Sequence, residues 1–370
     1  MDSVRGGLEF EGASSFRHHL ACALLANRSV RMRDIGLDRE KQGLNECEVN
    51  FMKFVDRATS GSKFEVRDGT TDLSFKPGMI LGGVFTHAVP KSRSVCYVIE
   101  AALLFLPFAK HASQITFTGC TQHDLDLSPD TIRTVTTRWL RLFGVECQLR
   151  IVRRGAAPDG EGCVVLTVSN VRKLRSISVE SRGKIRRVRG ISFSSNVSAD
   201  LTKQAASAAK GVLLDVLPDV YIVADNFTQP AGHRTAGTSG YGLMLVAEST
   251  EMACVLSQQA IAKNSQDPSE LGVTAARRLL SEVALGGCVD TAHQQMVLLL
   301  MALSPDEAST VRLGSLSPSA VTALTIAEVF FGVSCAVKEE SNPYGIAELP
   351  PSVIVSCIGS NCQNVAKRSG

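Results

Sequence analysis

One short pattern occurs twice, far apart, and it constrains how this chain folds more than any other feature. Ile115-Thr116-Phe117-Thr118-Gly119 alternates like a strand, and after a loop Ser128-Pro129-Asp130 opens an amphipathic stretch ending Leu142-Phe143-Gly144-Val145. Much later Val311-Arg312-Leu313-Gly314 leads to Ser317-Pro318-Ser319 and a stretch ending Phe330-Phe331-Gly332-Val333. In both, Ser supplies an N-cap and Pro takes the first helical position, where a missing N–H costs nothing. In both, Gly stops the helix and a β-branched run follows. An apolar helix precedes each copy, over 94–109 and 291–303. A looser copy opens the chain, with a strand at 8–12, a cap at Ser14, a helix to Ala26 and a strand Val30-Arg31-Met32-Arg33.

The spacing of the caps predicts an interruption. Ser14 and Ser128 are 114 residues apart, Ser128 and Ser317 189. An insert of about 80 residues, bounded near Gly190 and Asp267-Pro268, evens the two intervals, as a repeated unit interrupted once would require. Within it the patterns predict a helix over 201–217, strands over 220–224 and 242–247, and a second helix over 252–263.

At 370 residues the chain exceeds one ordinary core. Hydrophobic residues make up 44% and charged ones 20%, so the chain is globular and not disordered. A net charge of +3 is too small for a polycation, and any nucleic-acid role must rest on a local patch. The 11 cysteines are odd in number and form no Cys-x-x-Cys pair, which predicts reduced thiols in a cytosolic or nuclear protein. The acidic N-terminus, with Asp2, Glu9 and Glu11, does not read as a signal peptide, and Glu100 breaks the longest apolar run. A soluble, intracellular protein with no membrane contact is expected.

The strongest functional signal is basic. Arg172, Lys173, Arg175, Arg182, Lys184, Arg186, Arg187 and Arg189 face a single acid, Glu180. Alternating runs on both sides of Ser181-Arg182-Gly183 predict a hairpin presenting these charges at its tip and edge. Such a cluster suits the phosphates of RNA or an acidic protein partner, because the guanidinium fork matches phosphate oxygens. The competing reading is an edge strand that carries cations against aggregation; the density of charge in a nearly neutral chain favours binding.

Other candidates are weaker. Gly237-Thr238-Ser239-Gly240-Tyr241-Gly242 lacks the Lys-Ser/Thr of a phosphate loop and precedes a strand, so it reads as a turn. Asp124 and Asp126 sit just before the Ser128 cap, where acids favour a helix dipole, and are read as structural, with no metal. His18, His19 and His293 have no partner motif and read as packed or surface side chains.

The segments Arg189-Gly190-Ile191-Ser192-Phe193, Arg154 to Gly162, and Gly286-Gly287-Cys288-Val289-Asp290 together resemble the RNA 3'-terminal phosphate cyclase superfamily. The resemblance spans essentially the whole chain. It implies an α/β (α+β) fold: three repeats of paired helices on a four-stranded sheet, with a smaller α/β domain inserted before the third. On that basis 1–189 would hold the first two repeats, 190–268 the insert and 269–370 the third repeat.

In true cyclases a histidine near the C-terminus attacks ATP. Here no histidine follows His293, and counting back from Phe330 places Ser319 at that position. An unactivated serine is a weak nucleophile. The cyclases' Asp-Gln pair is matched by Gln295-Met296, and their Glu-Gly-Gly-Gly-Gln loop is contracted to Gly12-Ala13-Ser14-Ser15. Arg17 and Arg33 match positively charged family positions, so a remnant anion site is expected there. The loop from Asp34 to Gln42 is longer than in either branch, and the sequence offers no account of it.

The chain therefore resembles the cyclase-like, ribosome-biogenesis branch. That resemblance implies a non-catalytic factor of the nucleolar small-subunit processome, needed for the pre-rRNA cleavages that give 18S rRNA. It implies binding to a nucleolar GTPase and to pre-rRNA, with no cofactor and no small-molecule substrate. The alternative is an active RNA-processing enzyme, either an endonuclease or a cyclase with a substitute nucleophile.

Overall fold

Three four-stranded sheets share one strand order. The first runs Leu8–Glu11, Val30–Arg33, Leu73–Lys76, Lys63–Val66. The second runs Val84–Ala88, Ser113–Gly119, Gly162–Val168, Cys147–Arg153, and the third Ser178–Val179, Ala308–Leu313, Ser352–Ile358, Cys335–Glu340. In each, the first two strands are parallel and the other pairings antiparallel. The computed structural model describes residues 7–66, 71–157, 160–227, 239–251, 254–263, 266–345 and 348–366.

Two helical segments join the strands of each unit. The first set is Phe16–Ala26, Cys96–Phe105 and Gln294–Leu303. Cys96–Phe105 and Gln294–Leu303 are buried on nearly all sides, which explains their unbroken apolar sequences. Phe16–Ala26 and Gln294–Leu303 both pack against Cys96–Phe105, joining the three units at one core. The second set is Glu46–Ala58, the helical stretch from Pro129 to Leu142, and Pro318–Phe331. Its caps follow the sequence signals: Ser128 and Ser317 accept from the N–H groups of Thr131 and Ala320, at 3.2 and 3.1 Å.

The opening copy is registered differently from expectation. The helix after Ser14 belongs to the first set, and the true counterpart of Ser128 and Ser317 is Asn45, which caps Glu46–Ala58 through Glu48 N–H at 2.8 Å. Asn45 to Ser128 is 83 residues against 189 for Ser128 to Ser317, a difference of 106. The first strand and first helix are 8 residues apart in the second unit (Ala88 to Cys96) and 115 apart in the third (Val179 to Gln294), a difference of 107. The interruption therefore lies inside the third unit, after its first strand, and not before it.

The interrupting segment forms its own sheet, ordered Val220–Phe227, Ile185–Ser195, Gly240–Ser249, Val255–Ile261, with helices Ala199–Leu214 and Pro268–Ala284 packed together against it. The helix expected over 252–263 is a strand where described, Val255–Ile261, paired antiparallel with Gly240–Ser249. Its short apolar run satisfied both periodicities, and the neighbouring strand decided between them. The second helix instead starts where Asp267 caps Glu270 N–H at 2.9 Å and Pro268 takes the first helical position. On these contacts we propose limits of 185–284 for the inserted domain in place of 190–268. Gly237 and Thr238 of the glycine-rich turn lie outside the described residues, and Gly240–Ser249 is strand. Among the described residues no helix is long and apolar enough to cross a membrane.

Candidate functional site

The loop Gly12 to Ser15, the start of helix Phe16–Ala26, Gln295 and Ser319 meet at one cleft of about 520 Å³. Gly12 turns the chain with φ of 70°, in the left-handed region that favours glycine. Gln294 fixes the far wall, donating to Ser315 O at 3.0 Å while its side-chain oxygen accepts from Ser317 N–H at 2.9 Å. Of the pair expected here, only Gln295 faces the cleft; Met296 is buried in the core.

Three arginines line this cleft, and each is matched by a carboxylate. Arg17 donates to Glu100 at 3.2 Å and to the Tyr97 carbonyl. Arg39 forks onto Glu48 at 2.8 and 2.9 Å. Arg93 donates through Nε to both Asp126 oxygens at 3.0 and 3.1 Å. The Arg17 and Arg93 guanidinium carbons lie 4.1 and 4.3 Å from the Tyr97 ring centroid. Arg39 gives the long loop 34–42 a role, as it brings that loop to the cleft wall through Glu48. Asp126 is structural, as expected, because it also accepts from Ser94 N–H at 2.8 Å. Arg33 is the correction: strand alternation puts it on the outer face of the first sheet, paired with Glu9 at 2.8 Å, away from the cleft. Sequence reasoning missed Arg39 and Arg93 because no local motif marks them.

The chemistry available at Ser319 is limited. Its hydroxyl bonds the hydroxyl of Ser317 at 2.9 Å. The lining imidazole, His18, is driven down to about 3 by burial and then by Arg17, leaving it too weakly basic to activate a hydroxyl near neutrality. Among the described residues no group of three His, Cys, Asp or Glu side chains is arranged to hold a metal ion.

Glu48 joins cap and cleft, since it also accepts from Asn45 N–H at 2.8 Å in a capping box. Glu48→Gln is expected to cost about 2 kcal/mol, the range for a buried charge-assisted bond. Denaturant midpoints measure this, and a loss under about 0.5 kcal/mol, the scale of an ordinary surface change, would show that the wall does not depend on the pair.

The basic segment is not a hairpin. Ser178–Val179 pairs with Ala308–Leu313 in the third sheet, whereas Ile185–Ser195 is an interior strand of the inserted sheet. Residues 180–184 carry the chain from one sheet to the other. Arg182 is buried, donates to the Val283 carbonyl and lies 4.3 Å from the Tyr344 ring centroid. Arg187 pairs with Glu248 at 2.6 Å, and Arg189 forks onto Asp219 at 2.8 and 2.9 Å. Arg172, Lys173, Arg175, Lys184 and Arg186 are exposed. The eight cations therefore do not converge on one surface.

The remaining motifs join the parts of the molecule. Arg154 is buried and bonds Asp130 at 2.6 and 3.1 Å and Asp225 at 2.6 and 3.1 Å. Gly287 packs so tightly that a Cβ would meet the Gly314 nitrogen at 2.3 Å. Asp290 accepts from Ser257 N–H and hydroxyl at 2.8 and 2.6 Å and from His293 N–H and Nδ1 at 3.0 and 2.6 Å. His293 Nε2 reaches Thr136 Oγ1 at 2.9 Å. His293 is thus a packed histidine, as its lack of a motif predicted.

A repeated βαβαββ unit around one core, with an α/β insert and a cleft lined from all three units, defines the class of protein. The sequence model of the RNA 3'-terminal phosphate cyclase family matches residues 8–337, and the chain belongs to that family. Within it, the chain is 36% identical to the probable RNA 3'-terminal phosphate cyclase-like protein of Dictyostelium discoideum, over 97% of this chain and 99% of the relative. It is 33% identical to the RNA 3'-terminal phosphate cyclase-like protein of Homo sapiens, over 97% of each. It is 30% identical to the rRNA processing protein rcl1 of Schizosaccharomyces pombe, again over 97% of each.

Proposed function

We propose that this protein is a non-catalytic ribosome-biogenesis factor that uses the cyclase fold as a scaffold. The observation that carries the reading is its full-length similarity to cyclase-like proteins, one of them named for rRNA processing. The state of Ser319, bonded to another hydroxyl in a cleft whose lining imidazole is weakly basic, supports a cleft without a nucleophile. In this reading the protein works in the nucleolus within the small-subunit processome, supports the cleavages that give 18S rRNA, and binds a ribosome-assembly GTPase and pre-rRNA. No cofactor is required.

Tagged protein recovered from cell extract should bring down small-subunit precursor RNA and processome proteins, and depletion should lower 18S rRNA while its precursors accumulate. Recovery of neither, with normal 18S rRNA on depletion, would sink the proposal. The purified protein, given ATP, divalent metal and a 3'-phosphorylated oligonucleotide, should leave the RNA end unchanged. Ser319→His should not restore cyclisation either, because the positioning groups differ as well as the nucleophile. A nucleotide adduct that survives denaturation would overturn the non-catalytic reading.

A further inference from the structure

The helical stretch from Pro129 to Leu142 contains an uncommon feature. It is α-helical at Pro129–Thr131, passes through a π turn at Ile132–Thr136, and resumes as α-helix over Thr137–Leu142. Residues five apart in a regular α-helix point to different sides, whereas a turn closed i→i+5 brings them toward one side. Arg133 and Arg138 are related in this way, and Arg141 follows three residues later on the same surface. These three arginines are the only residues between Pro129 and Leu142 that are exposed, the others being buried or half-buried.

The surroundings leave this row short of negative charge. Arg138 and Arg187 share one carboxylate, Glu248, at 2.9 and 2.6 Å. Arg133 bonds Asp130 at 2.9 Å, but Asp130 is also held by the buried Arg154. Arg141 has no ion-pair partner among the described residues, and neither has Arg175, whose side chain lies against Gly144 just past the helix. A guanidinium carries five N–H donors, so Arg138, using only Nη2 toward Glu248, keeps others for a second acceptor. The shared carboxylates orient the forks without neutralising the row.

We propose that Arg133, Arg138 and Arg141, continued by Arg187 and Arg175, form a track for the phosphate backbone of RNA along the seam between the second repeat and the insert. The track draws only two of its members from the basic segment at 172–189; the helix supplies the rest. It deepens the ribosome-biogenesis reading and rests on the RNA-binding part of it.

The test is the salt dependence of binding to a labelled oligouridylate. Each phosphate contact with a single strand contributes about 0.7 to the slope of log affinity against log salt. The variant R133Q/R138Q/R141Q should therefore flatten the slope by roughly 2. R141Q alone, which breaks no ion pair, should flatten it by about 0.7 and guards against a folding artefact in the triple variant. The triple lysine variant should keep the slope, because a phosphate contact needs the charge more than the fork. Replacing Lys53, Lys63 and Lys76 of the first repeat by Gln should change little. An unchanged slope in R141Q and in the triple Gln variant, with the wild type binding RNA, overturns the track and leaves the broader reading standing. Loss of a protein partner in that variant with RNA binding intact also overturns it and makes the surface a protein interface. Absence of any salt-dependent RNA binding by the wild type overturns both.

Discussion

Asp290→Ala is expected to destabilise the protein by about 3–5 kcal/mol, the range for breaking a fully buried ion pair. The carboxylate ties Ser257 of the insert to His293 of the third repeat, and His293 passes the contact to Thr136 in the second. Its removal leaves a buried imidazole and two Ser257 donors without an acceptor. Burial, the largest single effect, would raise Asp290 and lower His293, but the partner's charge and the hydrogen bonds together outweigh it, holding the aspartate below its ordinary 3.8 and the histidine above its ordinary 6.5. Between those two ordinary values both groups are charged and the full contribution is present. It is lost as pH falls through the depressed aspartate value and as pH rises through the raised histidine value. Urea denaturation of wild type and Asp290→Asn across pH should show the gap widest near pH 5. A gap that is flat with pH, or an Asp290→Ala loss below about 1 kcal/mol, would mean the pair is not ionised or not a structural hub.

Arg154→Ala should have a comparable effect but a different location. Arg154 holds Asp130 of the second repeat and Asp225 of the insert, with its guanidinium carbon 4.9 Å from the Phe193 ring centroid. Asp130 is fully buried, so the loss leaves a carboxylate with only the half-exposed Arg133, and a cost of about 3 kcal/mol is expected. Hydrogen exchange should speed up first in Ile185–Ser195 and Val220–Phe227, while Cys96–Phe105 stays protected. Arg154→Lys should not rescue the protection, because an ammonium cannot fork onto two carboxylates. Protection that is unchanged in the insert, or lost equally in the central helices, would refute a joint located there.

What the residues disclosed and what they concealed divide by the range of the interactions involved. The caps at Ser128 and Ser317 were legible because acceptor and donor lie three residues apart and Pro fixes the next dihedral. The apolar runs of Cys96–Phe105 and Gln294–Leu303 announced buried helices for the same local reason. Gln295, Ser319, Arg17 and the Gly12 loop could be grouped from the family resemblance, and they share one cleft. Arg39 and Arg93 could not be, since their carboxylates lie 9 and 33 residues away with no motif linking them.

The fate of the basic segment was beyond local reading. Alternation at 176–189 shows that strands form there, but not which strand each will pair with. Its partners are Thr310 and Val311 on one side and strands from 220 and 240 onward on the other. The charges followed the strands, so Arg182 met the carbonyl of Val283, Arg187 met Glu248 and Arg189 met Asp219. The same dependence turned residues 255–261 from an expected helix into a strand. By itself the sequence determined the Ser-Pro helix starts at Ser128 and Ser317 and the buried helices Cys96–Phe105 and Gln294–Leu303, because short-range capping and periodicity set these. Only the tertiary structure decided where the insert interrupts the third unit, which cations of the basic segment are paired within the fold, and how Asp290 and Arg154 join the parts, because each depends on pairing between segments distant in the chain.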